Sequence, residues 1–285
     1  MTTTVEPADA PVAAPRHAPI PRLLGAELRW VLRRPRTLVM LGVFALVPVL
    51  ISIGVTVADD SDGPGLIGAV AGNGLVLPVA AITVALALLL PLAVAMAAAD
   101  AIAGETATGT LRGLMLAPVG RLRLVGMKAF GVLVVATAAT LVLAVVGVVA
   151  GLVVVGGADG QLVTLSGTTV GLGEAIARVA LVVVWTVGQL AAVGAVALAI
   201  SSVTEHPLVV LASVLGGLIV FGVLTAIPAL DWLQPYLLTT GWTAGADVLR
   251  DPLAFDGMIE SSLRALSYVA IGGGLTVYRM LVRDA

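Results

Sequence analysis

The sequence predicts an all-α polytopic membrane chain with six transmembrane helices, and three observations predict it. Only 11% of the residues are Asp, Glu, Lys or Arg, against roughly 25% in soluble domains. Mean hydropathy is +1.11, which is more apolar surface than a soluble fold of this length hides. Six apolar runs approach or exceed the roughly 20 helical residues needed to cross a hydrocarbon core of about 30 Å. They are Thr37–Val57, Leu75–Ala99, Ala129–Val155, Val179–Ile200, Leu208–Pro228 and Ala265–Leu281. The runs are continuous, where barrel strands alternate and are far shorter.

Taken in chain order, residues 1–18 are rich in Pro, Ala and Thr with little to bury, and read as a disordered tail before a single membrane domain over 19–285. Pro19–Pro35 then places Ile20, Leu24, Leu28, Val31 and Leu32 on one helical face, with Arg22, Arg29 and Arg33 nearly opposite. That pattern belongs to a basic helix lying among headgroups, with Trp30 at the interface; the alternative is a plain positively charged flank. Glu27 falls on the apolar side and breaks the pattern. The first span starts after 36 residues and is too long for a signal h-region. Pro48, Pro78 and Pro91 mark kinks.

Farther along, Gly156–Glu174 reads as a short hairpin, and SSVTEHP as a tight turn with Pro207 at the first position of span five. Ala229–Leu263 holds Trp232, Tyr236 and Trp242 and is broken by Pro235 and Pro252. It reads as short helices dipping into the interface or as an amphipathic surface helix. Span six is the weakest, being short and carrying Gly272, Gly273 and Gly274. Gly147-V-V-A-Gly151 matches a helix-pairing pattern, although small residues are common throughout. Thr186 and Gln189 are candidate pathway residues, with interhelical hydrogen bonding as the alternative.

Charge sets the expected topology. With six spans, twelve of the fifteen basic residues share one side with seven acids, and three share the other with ten. The positive-inside bias places both termini in the cytoplasm of a multi-pass cell-membrane protein. Chemistry is sparse by contrast. There is no cysteine, and the two histidines are His17 in the tail and His206 in a turn, so metal clusters and His-assisted nucleophiles lack their parts. No G-x-x-x-x-G-K-[ST] phosphate loop occurs. The chain reads as non-enzymatic.

Residues 103–128, AGETATGTLRGLMLAPVGRLRLVGMK, gather four basic residues, including the single lysine, between two apolar runs. On a helix Ala107, Leu111, Leu114, Met115 and Pro118 cluster, while Glu105, Gly109 and Arg112 lie opposite with Thr108 at the edge. Gly104 and the threonines favour a start and Pro118 forces a stop. A short amphipathic helix results, facing either a protein or lipid. The run Asp100…Glu105…Gly109-Thr110-Leu111…Pro118…Arg121…Lys128 resembles the signature of ABC-2 type permeases, the membrane subunits of ABC exporters. The basic segment before span one, the six spans, the long segment between spans five and six and the end YRMLVRDA are also similar; the short, glycine-rich span six departs.

The resemblance implies a coupling helix that docks into a cytoplasmic ATPase. Two permease copies and two ATPase subunits make the transporter, and ATP and Mg sit on the ATPase alone. It gives Glu105, Thr108, Gly109, Thr110, Leu111 and Arg112 to the partner contact, Pro118, Arg121 and Lys128 to the return into span three, and Arg22, Arg29, Trp30 and Arg33 to a bracing helix. An ion-coupled secondary transporter and a non-transporting anchor or sensor remain the alternatives. The substrate is not written in the sequence. The topology itself is testable, because the chain has no cysteine. Single cysteines at Asp60 and Asp247 should react with an impermeant thiol reagent in intact cells, and one at Arg121 should not; the opposite pattern would invert the orientation.

Overall fold

The structure is a computed structural model that describes residues 20–58, 66–107, 120–156 and 161–282. The expected tail therefore lies outside the described residues. Among the described residues six helices are long and apolar enough to cross a membrane. An N-terminal helix, Ile20–Arg33, precedes span 1, Pro35–Ala58. Span 2 is assembled from Leu77–Ala87 and Leu89–Ala99 and runs on through a π-turn, Asp100–Gly104, to Glu105–Ala107. Span 3 is Arg121–Ala150 with a further π-turn to Val155, span 4 is Leu172–Ser201, span 5 is Pro207–Thr225 and span 6 is Asp256–Val282.

Spans 3 and 4 start at Arg121 and Leu172, earlier than the expected Ala129 and Val179, and two further boundaries, in spans 2 and 6, differ for identifiable reasons. Span 2 does not stop at Ala99 but continues past Asp100 to Ala107, and it breaks at Leu88, whose φ of −150° leaves the helical region. Pro91 explains the break: it has no N–H for the Ala87 carbonyl, and its ring crowds that carbonyl. Span 6 begins at Asp256 rather than Ala265, so it is 27 residues long and not short. Its N-terminal part carries polar residues that pack against the segment before it, so it does not form an apolar run.

That segment, 228–249, forms two 3₁₀ stretches, Pro228–Tyr236 and Leu238–Leu249. The second buries Trp242, Val248 and Leu249 in the core. Tyr268 donates to the Tyr236 carbonyl at 2.9 Å and Arg264 to the Leu237 carbonyl at 3.1 Å, so span 6 holds it in place. A two-strand hairpin pairs Leu162–Val163 with Thr169–Val170, as the sequence suggested. At this end Arg178 is the anchor. It is 3% exposed and donates to the carbonyls of Val248 and Arg250 and to Glu174. We call this the acidic end, and the end carrying the N-terminal helix the basic end.

Span 4 is the axis of the bundle, packing most extensively on span 6 and also on spans 2 and 3. Glycines permit the close approaches. A Cβ on Gly272 would sit 2.7 Å from the Ala195 carbonyl carbon of span 4, whereas Gly273 and Gly274 would meet nothing within 4 Å. Gly147 and Gly151 also work inside the chain. A Cβ on Gly151 would lie 2.0 Å from the Gly74 carbonyl oxygen, and one on Gly147 2.7 Å from Pro78 Cα. The G-x-x-x-G surface is thus filled by the chain's own span 2 entry.

Spans 1 and 5 are left largely uncovered: 17% and 11% of their apolar stretches are buried, against 56% for spans 2 and 4. An apolar groove of 730 Å³ runs between them, lined by Val39 and Val43 of span 1, Leu92 and Met96 of span 2, and Leu208 and Leu211 of span 5.

The glycine contacts give a direct test. Gly272→Val and Gly151→Val should each lower the stability of the purified protein by about 1–3 kcal/mol through overpacking. Gly273→Ala should be neutral or stabilising by about 0.5–1 kcal/mol. Thermal unfolding in detergent reads both.

Candidate functional site

The polar chemistry of the basic end sits where the N-terminal helix packs on spans 1 and 3, beside the end of span 2. Its centre is Lys128, on the first turns of span 3. The sequence starts that helix with Arg121 and Arg123 in contact with the surface and then turns apolar, so Lys128 is carried one step too deep to reach water freely. Its side chain is 4% exposed. An ammonium so placed must be paired, because leaving it uncompensated costs several kcal/mol. The partner is Glu105, 13% exposed, whose Oε1 accepts from Lys128 Nζ.

The π-turn explains how Glu105 gets there. One extra residue per turn at Asp100–Gly104 rotates the helix end and frees the Ala103 amide, which donates to Ser201 Oγ at 2.9 Å. That bond ties the end of span 2 to the end of span 4. Glu105 is delivered toward span 3, and Asp100 toward the junction of the N-terminal helix with span 1. There Arg36 Nη1 donates to both Asp100 oxygens at 3.1 and 2.8 Å, and Arg34 stands 3.7 Å away. Arg36 is 63% exposed, so this pair contributes about 0–1 kcal/mol. The buried Lys128 pair dominates.

Trp30 closes the cluster from above. The Arg34 guanidinium lies 3.3 Å from its ring centroid and Lys128 Nζ 5.7 Å, both within cation–π range. Arg22, Arg29 and Arg33 of the same helix are exposed, and Val31 is buried against the bundle. Arg121 reaches across to the end of span 6. Its guanidinium donates to the carbonyls of Met280 and Leu281 at 3.2 and 2.7 Å, which caps orphan acceptors of the last helical turn.

The structure therefore brings Glu105, Lys128 and Trp30 together and sets Arg121 nearby at the foot of span 6. Glu105 turns inward to Lys128 and does not stand clear on an outer helical face. Thr108, Gly109, Thr110, Leu111, Arg112 and Pro118 lie outside the described residues. Thr186 and Gln189 are fully buried inside the bundle, away from the groove. Among the described residues no hydrogen-bond partner stands by the Thr186 hydroxyl or the Gln189 amide. Sequence reasoning missed Arg34, Arg36 and Asp100 as a unit, as well as Ser201. The signal for the first three was present, in arginines just before span 1 and an acid just after the apolar part of span 2. Nothing in the spacing of Ser201 announces its bond. No group of three or more His, Cys, Asp or Glu suited to a metal occurs among the described residues.

Removing one partner of the buried pair should expose its cost. Lys128→Met should destabilise the protein by about 3–5 kcal/mol, seen as low yield and a lowered Tm in detergent. The double variant Glu105→Gln/Lys128→Met should recover most of that loss. A single variant as stable as the parent would show that the pair is not a constraint.

Comparison with known proteins places this architecture. No curated protein matches the chain. A family profile described as ABC-2 family transporter protein matches residues 23–243, from the N-terminal helix through all of spans 1–5 and into the segment before span 6. The chain belongs to the ABC-2 transporter family.

Proposed function

We propose that this chain is the permease subunit of an ATP-driven exporter in the cell membrane, worked by a separate cytoplasmic ATPase that carries the ATP and Mg. The observation that supports it most is the junction at the basic end of the bundle. The family motif lies on the stretch that leaves span 2 after Glu105 and returns at Arg121. Both ends of that stretch are gripped by the bundle, through Glu105–Lys128 on one side and Arg121 to span 6 on the other. A push on such a stretch reaches spans 2, 3 and 6 together.

In this reading the basic end faces the cytoplasm, and residues 108–112 form the surface that enters the ATPase. The N-terminal helix braces the same partner through exposed Arg22, Arg29 and Arg33. A second copy of the chain covers the open faces of spans 1 and 5, and the apolar groove between them becomes part of the translocation path. Two ATPase subunits then serve two permeases. An apolar groove suits substrates with large nonpolar parts. The few ionisable groups of the described spans lie toward their ends, which fits a transporter driven by mechanical closure better than one driven by an ion gradient.

Gly109 gives the test. A bulky side chain in a fitted contact costs about 1–3 kcal/mol, or roughly a five- to 150-fold loss of partner affinity. Gly109 is outside the apolar spans, so Gly109→Trp should reach the membrane at normal levels while losing the ATPase on purification. Full retention of the ATPase and of transport would show that residues 108–112 only rest on lipid, where Trp is tolerated.

A further inference from the structure

Glu27 is a carboxylate on the bundle-facing side of an amphipathic helix, and neither the family motif nor the basic character of that helix explains it. The structure supplies a reason. Its Oε1 lies 3.0 Å from the point a Cβ on Gly131 would occupy, so the absence of a side chain at Gly131 is what lets the carboxylate lie against span 3. Gly131 is one turn beyond Lys128. The charged groups around Glu27 are Lys128 from span 3, Glu105 from the end of span 2, and Arg34 on its own helix. Asp100 of span 2 and Arg36 of span 1 line the same cavity, with Asp100 paired to Arg36 and near Arg34. A cavity of 40 Å³ is lined by Glu27, Trp30, Arg34, Asp100, Lys128 and Gly131, room enough for a water to carry a proton in.

We infer that Glu27 is a proton-binding site that positions Lys128: ionised, its carboxylate competes with Glu105 for the one buried ammonium; neutral, it leaves that ammonium to Glu105. The first state loosens the end of span 2 at Ala107, and the second fastens it. The consequence for docking rests on the permease reading above; the proton site does not. Burial raises the Glu27 pKa above its ordinary 4.5, Lys128 lowers it, Glu105 raises it and Arg34 lowers it, with a net upward result. The sign follows from linkage. Over the window above 4.5 the folded chain holds a proton that the unfolded chain has released, so stability from this group falls as pH rises through that window.

The experiment uses the full chain in lipid nanodiscs, with no ATPase present, carrying Ala107→Cys labelled with a nitroxide. Glu27, Glu27→Gln and Glu27→Asp are compared from about pH 5 to about pH 8, a range that spans a raised carboxylate pKa. With Glu27 the spectrum should shift from immobilised to mobile as pH rises. Glu27→Gln should hold the immobilised spectrum throughout, and Glu27→Asp should keep a pH response. Tm should agree: Glu27→Gln exceeds the parent at the upper pH, and the gap closes toward the lower. The same pH response in Glu27→Gln as in the parent, or no response in the parent, would overturn the inference. A chain that shows the response yet binds no ATPase would instead remove the permease reading and leave the proton site standing.

Discussion

The basic end of this protein depends on one buried ion pair. Lys128 is the sole lysine, and span 3 carries it below the surface to a position 4% exposed. Glu105 has to meet it, and that requirement fixes the end of span 2. The π-turn at Asp100–Gly104 supplies the rotation, and Ser201 takes up the amide that the turn releases. Trp30 lies over the cluster, so the N-terminal helix is bound to the same point. Four elements therefore share a junction whose disruption leaves a charge without water or a partner.

The two ends of the bundle solve different problems with the same chemistry. At the acidic end Arg178, also buried, gathers backbone carbonyls of the 238–249 stretch and its continuation to Arg250. Irregular backbone packed against helices has carbonyls to satisfy, and Arg178, Arg264 and Tyr268 donate to several of them here. Between the ends the packing is apolar and rests on glycine, with Gly272 against span 4 and Gly151 against Gly74. Spans 2 and 4 form the buried core, span 3 packs beside them, and spans 1, 5 and 6 lie more open on the flanks. In the proposed transporter that asymmetry separates the part that receives force from the part that opens a path.

Much of this was legible in the sequence. Continuous apolar runs gave six spans because a bilayer demands about 20 such residues per crossing, and the arginine wheel of residues 20–33 gave the N-terminal helix. The conspicuous exception on that wheel, Glu27, proved to face span 3 beside Gly131. What stayed hidden depends on contacts distant in sequence. Span 6 begins nine residues earlier than its apolar run, at Asp256, because polar residues there face the 3₁₀ stretches and not lipid. Gly147 and Gly151 looked like a surface for another helix, and only the fold shows the chain's own Gly74 and Pro78 in place. Glu105 looked available for docking on a local wheel, and its pairing with Lys128 comes from a turn type no local pattern announces.

In the proposed function this family member turns ATP hydrolysis on another chain into movement of its own spans. The most direct measurement is ATP turnover by the full-length chain isolated from native membranes in mild detergent, compared with the same chain produced without other proteins. Turnover should appear in the native preparation, carried by a co-isolated ATPase in equal number to the permease, with none above background in the chain alone. Turnover by the chain alone, or a native preparation with neither ATPase nor turnover, would contradict the proposed function.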